Sequence, residues 1–109
     1  MTQPTDTQLK QALAKMLPEQ LVSIEDDDQQ VLCYICKDLT NKVEHHLPVL
    51  DTELLHLCWM VEETIKRPSG CMPSLWYLEL RAASDNNEER ASWQQRTIAL
   101  CKVKGVEIV

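Results

Sequence analysis

Cys33 and Cys36 form a Cys-x-x-Cys pair, and His45 and His46 follow shortly after. Thiolates and imidazoles are zinc's favoured ligands, and a Cys-x-x-Cys pair can also cycle between dithiol and disulfide. Neither chemistry is complete here. On a strand, alternation sends positions 33 and 36 to opposite faces, where they cannot share a metal. On a helix they lie nearer, but tetrahedral zinc needs two further ligands. His45 or His46 can supply one, and no second Cys-x-x-Cys or His pair at helical spacing exists. Tyr34-Ile35 is poor chemistry for the tight turn of a zinc knuckle. A redox pair belongs at a helix start after a strand, and Lys37-Asp38 gives no sign of one. The cysteines are expected to fill space as small buried hydrophobes, with no metal and no cofactor.

Two other constellations fall short in the same way. Glu53-x-x-His56 is half of a carboxylate-bridged di-metal motif, which needs a matching pair on another helix plus further glutamates. A solvated or partner-facing His56 is expected instead. The run Glu25-Asp26-Asp27-Asp28 could begin a calcium loop at Asp26. That loop requires glycine at position 31 and glutamate at 37, where this chain has Val31 and Lys37. The run is expected to be a solvated turn or an acidic docking patch. Cys58 and Cys101 fall on apolar helical faces, where thiols are inert. No phosphate-cradling glycine loop, nucleophile elbow or orienting set around the three histidines is present. No enzymatic activity is expected.

The elements that must position these residues follow from periodicity. Leu9, Ala12, Leu13, Met16 and Leu17 make one apolar stripe, predicting a helix from near Thr5 to Pro18. Residues 19–47 read two ways. Leu21–Glu25 and Val31–Cys36 suit a hairpin around the acidic run. Leu32, Ile35, Cys36, Leu39 and Val43 also keep a helical period from Asp28 onward. The hairpin is preferred because Val, Cys, Tyr, Ile, Thr and Asn form helices poorly.

Asp51 is expected to cap the next helix, with Leu50 and Leu55 as a hydrophobic staple. Leu54, Leu57, Cys58, Val61 and Ile65 form its buried face, and Leu55 with Trp59 a second strip. A helix apolar on two sides should be the central one. Ser74–Ala83 reads as a short helix or a strand, ended by Asp85-Asn86-Asn87. Ser92-x-x-Gln95 is a capping box for the last helix, which presents Trp93, Thr97, Leu100 and Cys101. Gly105 suits the left-handed position at its end, with Val106 packing back on Cys101. Each tryptophan is expected in the core, yet tryptophan also dominates binding hot spots. Trp76-Tyr77 is the pair to expect in a contact patch.

The 109 residues predict one domain, 1–109, of α+β class and mainly helical: three or four helices packed with a small antiparallel β-hairpin. Only two glycines occur, which disfavours an all-β fold. An odd count of five cysteines and a polar opening, MTQPTDTQLK, predict reduced thiols, no leader and a cytoplasmic location. No apolar run approaches the ~20 residues that span a bilayer, so no membrane partner is expected. The net charge of −6 lies wholly in the first half: residues 1–55 carry ten acids and four bases, residues 56–109 seven of each. A negative surface repels phosphate and attracts basic partners, which disfavours direct nucleic-acid binding.

Leu50-Asp51-Thr52-Glu53-Leu54-Leu55-His56-Leu57-Cys58-Trp59-Met60-Val61-Glu62-Glu63 and Ala91-Ser92-Trp93-Gln94-Gln95-Arg96-Thr97-Ile98-Ala99-Leu100-Cys101 carry a resemblance. They are similar to helices of small bacteriophage and prophage accessory proteins. The resemblance covers about a quarter of the chain and rests on caps and core positions, so it transfers no catalytic residue. It implies a phage-type accessory protein in a bacterial cytoplasm.

Together these readings predict a non-enzymatic protein that binds a host protein with a basic surface, such as a defence or nucleic-acid enzyme. Glu25, Asp26, Asp27, Asp28, His56, Trp76 and Tyr77 are the candidate contact residues. One alternative is a small-ligand or nucleotide-sequestering protein using Lys66, Arg67, Arg81, Arg90 and Arg96. Another is a metal-binding protein using Cys33, Cys36, His45 and His46. The second apolar strip on the helix after Asp51 would also suit a homodimer.

Overall fold

Thr5 starts the first helix by a reciprocal cap. Its hydroxyl accepts from the Gln8 amide at 3.2 Å, and the Gln8 side chain accepts from the Thr5 amide at 2.8 Å. The computed structural model describes residues 4–37 and 44–108, and in it helix α1 spans Asp6–Met16. Leu17 closes the helix onto the Leu13 carbonyl just before Pro18.

The chain then forms strands β1, Leu21–Asp26, β2, Gln29–Lys37, and β3, Glu44–Pro48, in an antiparallel sheet ordered β1-β2-β3. The hairpin reading of the 21–36 region is therefore the right one. Its helical rival is wrong through Cys36, and the Leu39 and Val43 positions invoked for it lie outside the described residues. The third strand is an addition. Its five residues are all exposed, so β3 is held by its ladder to β2 rather than by an apolar pattern of its own.

Helix α2, Leu54–Ile65, is preceded by a 3-10 turn at Asp51–Glu53. Here the expected Asp51 cap is replaced. The Leu50 amide donates to Glu53 Oε1 at 3.3 Å, while exposed Asp51 sits 3.6 Å from the Lys10 ammonium. Leu50 stays 63% exposed, so no staple is buried with it. Ser74–Ala83 is helix α3, and Trp93–Lys104 is helix α4. Between them Asp85 and Asn86 turn the chain at positive φ. The predicted box at α4 is present: the Gln95 amide donates to Ser92 Oγ at 3.3 Å, and Ser92 N–H to Gln95 Oε1 at 2.9 Å. Gly105 ends α4 at φ 72°, a conformation glycine adopts without steric cost, and the Val106 amide returns to the Cys101 carbonyl.

The fold is α+β and mainly helical. One core joins α1, the inner sheet face and the other three helices, through Leu13, Leu32, Leu57, Trp76 and Leu100 among others. The expected centre is displaced, however. It is α4 that packs against α1, α2 and α3 together, with Thr97, Ala99 and Leu100 fully buried. The second strip of α2 is not covered among the described residues: Leu55 is half-buried and Trp59 is 48% exposed. No helix among the described residues is long and apolar enough to cross a membrane.

Candidate functional site

The acidic run forms the tip of the β1–β2 hairpin. Asp26 pairs with Gln29, leaving Asp27 and Asp28 as a two-residue connection. Both have positive φ, 49° and 62°. A two-residue hairpin whose central residues are both left-handed matches the twist of its strands and favours Asn-Gly. Placing Asp there forgoes the residues that fit best, and aspartate is among the few side chains that tolerate the conformation. Glu25, Asp27 and Asp28 are exposed, so the sheet ends in a solvent-facing acidic turn.

Strand geometry also separates the cysteine pair. Leu21, Leu32 and Tyr34 face the core, and alternation places Cys36 with them while Cys33 shares the outer face with Val22, Ile24, Val31 and Ile35. Cys33 is nonetheless buried, flanked across the sheet by Val22 and Pro48. The histidines divide likewise. His45 lies opposite Cys36 and His46 opposite Ile35, and His46 Nε2 is 2.9 Å from Glu44 Oε1. Among the described residues no three His, Cys, Asp or Glu side chains converge as a metal site would require.

All five cysteines are thiols. Burial pushes the Cys58 thiol up to about 11, against a lowering contact with Thr97, whose hydroxyl oxygen lies 3.3 Å away. Burial likewise lifts Cys101 to about 11, partly offset by Lys15. Thiolate is the reactive form, so brief iodoacetamide treatment of the native protein should alkylate exposed Cys71 first and partly exposed Cys36 next. Cys33, Cys58 and Cys101 should react only after unfolding. Peptide mass spectrometry checks this, and native labelling of Cys58 as fast as Cys71 would contradict it.

Glu53 and His56 have separate tasks. Glu53 accepts from the Leu50 amide and from the Tyr34 hydroxyl, tying β2 to the start of α2. Burial, and then the Glu53 carboxylate, push the Tyr34 phenol up to about 12. His56 is exposed, its ring edge-on to Trp59 with centroids 6.4 Å apart. The expected Trp76-Tyr77 pair is split. Trp76 is 3% exposed and belongs to the core, whereas Tyr77 is half-exposed. Trp59, expected inside, is the exposed tryptophan. One face of a helix cannot hold adjacent residues, and only the tertiary partner decides which is covered.

Two of the bases considered for a phosphate pocket are held by neighbouring glutamates. Lys66 pairs with Glu63 at 2.5 Å, and Arg96 with Glu62 at 2.6 Å. A concavity of about 690 Å³ near the N-termini of α1 and α4 is lined by Asp6, Asp85, Ser92 and Gln95 among others, with no Lys or Arg among the described residues of its wall. The structure thus defines an α+β protein with an acidic hairpin tip. No family model, curated protein or solved structure matches the chain.

Proposed function

We propose that this protein acts without catalysis, by docking its acidic hairpin onto a basic surface of another macromolecule. The observation that carries the reading is Asp27-Asp28 in a left-handed two-residue turn, with exposed Glu25 beside them. Unfavourable backbone positions occupied by charged side chains point to selection for something other than stability. Carboxylates at the end of a stiff hairpin imitate a run of phosphates. They would steer a basic groove into contact and exclude nucleic acid from it. The resemblance of the α2 and α4 segments to phage accessory proteins makes a bacterial defence or nucleic-acid enzyme the natural target, met in the host cytoplasm.

The test is affinity capture from bacterial lysate at low salt, comparing the protein with a variant carrying Glu25→Gln, Asp26→Asn, Asp27→Asn and Asp28→Asn. A basic protein retained by the parent should associate at least about tenfold more slowly with the variant, and the salt dependence should flatten. Equal binding by both proteins would end the proposal.

A further inference from the structure

The sheet has an outer face turned away from the core residues Leu21, Leu32 and Tyr34. Val22, Ile24, Val31 and Ile35 share it by register. They are half-buried around buried Cys33, and among the described residues none belongs to the core or packs against it. The core instead takes Leu21, Leu32 and Tyr34 from the inner face. Four half-buried branched aliphatic side chains on one face of a three-stranded sheet give an apolar strip that a partner can cover further.

Its borders state the charge of the occupant. At one end stands the turn of Asp27 and Asp28. At the other, a concavity of about 610 Å³ is lined, among the described residues, by Ile35, Pro18, Glu19 and the Glu44 carboxylate that meets His46. Two apolar side chains with two carboxylates suit a lysine or arginine, whose stem packs on hydrocarbon while its head meets an acid. Residues 19–37 carry five acids and a single base, Lys37. A second copy would set these acids against each other, and nucleic acid would be repelled in the same way.

We infer that this face is where the partner's contact segment lies: a basic amphipathic segment with its apolar side on Val22, Ile24, Val31 and Ile35 and its cations at the two acidic ends. The inference rests on the docking function proposed above and adds an apolar floor to it.

The test is a nuclear magnetic resonance titration with a synthetic amphipathic Lys/Leu peptide, alongside the same peptide with Glu for Lys. The Lys/Leu peptide should shift the Val22, Ile24, Val31 and Ile35 methyls, and the Glu/Leu peptide should not. Ile24→Thr/Val31→Thr keeps the branched strand-forming shape and should weaken binding at least about tenfold with an unchanged salt dependence. Val22→Thr/Ile35→Thr serves as the second variant should the first fail to fold. Unchanged binding by a folded threonine variant, with shifts confined to the hairpin tip, would overturn this inference and leave the acidic docking function standing. Unchanged binding after neutralising the tip as well would remove both. A dimer in sedimentation that the threonine variant dissolves would assign the face to a second copy and overturn the inference.

Discussion

Trp76→Ala should destabilise the protein by about 3–5 kcal/mol, while Trp59→Ala should cost about 1 kcal/mol or less. The truncation is identical and the surroundings are not. Trp76 is 3% exposed in the core with Leu80, whereas Trp59 is 48% exposed and touches the edge of His56. Losing an indole from the core leaves a void that neighbours refill only in part, and its cost grows with that void. A small domain holds only about 5–15 kcal/mol in total, so Trp76→Ala should leave it near the margin. Urea midpoints at constant slope measure the two losses. Equal losses would mean that the α2 strip is covered in solution.

Removing one member of the Glu62–Arg96 pair should have the next largest effect. The two side chains lie 2.6 Å apart and are only 14% and 16% exposed. Glu62→Ala removes the carboxylate from a guanidinium held largely away from water and should cost about 2–4 kcal/mol. Glu62→Gln keeps shape and hydrogen bonding and should cost much less. The pH dependence follows from the carboxyl's surroundings. Burial pushes Glu62 above the ordinary carboxylate range, and the Arg96 guanidinium offsets this only in part. The folded state therefore holds the Glu62 proton more tightly than the unfolded chain. This contribution is fully present below the ordinary glutamate range and fades as pH rises through the raised value. The stability advantage of the parent over Glu62→Gln should thus shrink as pH rises from about 4 towards neutrality. Urea unfolding across that range checks it, and a difference that grows with pH would contradict it.

The hairpin and the two ends of α4 were legible because each has a local cause. The β-branched and aromatic residues of 21–25 and 31–36, poor helix formers, set the strands, and Ser92 with Gln95 or Gly105 sets the ends of α4. What escaped has a tertiary cause. Strand β3, Glu-His-His-Leu-Pro, has no buried face to announce it. Helix α4 looks too polar to be central, yet Thr97 and Arg96 bond within the fold. Thr97 donates to the Trp93 carbonyl at 2.7 Å and meets Cys58, and Arg96 meets Glu62. Buried polar groups cost little once bonded, so hydropathy alone misplaces the centre in α2. The Thr5–Gln8 cap carries a readable Thr-x-x-Gln signal that spacing alone would have found. Of the candidate contact residues, the acidic run needed only its charge to be noticed. The exchange of Trp76 for Trp59 at the surface depended on which helix face α4 leaves open.

The salt dependence of partner binding by Asp27→Asn/Asp28→Gly tests the central claim most directly. These replacements supply the residues a left-handed two-residue turn prefers, so the hairpin is kept and the fold should gain about 1 kcal/mol, or about 4–8 °C in Tm. The account predicts that this more stable protein binds its basic partner more weakly and with a shallower response to salt. A stabilised variant that binds as tightly as the parent, with the same salt response, would contradict it.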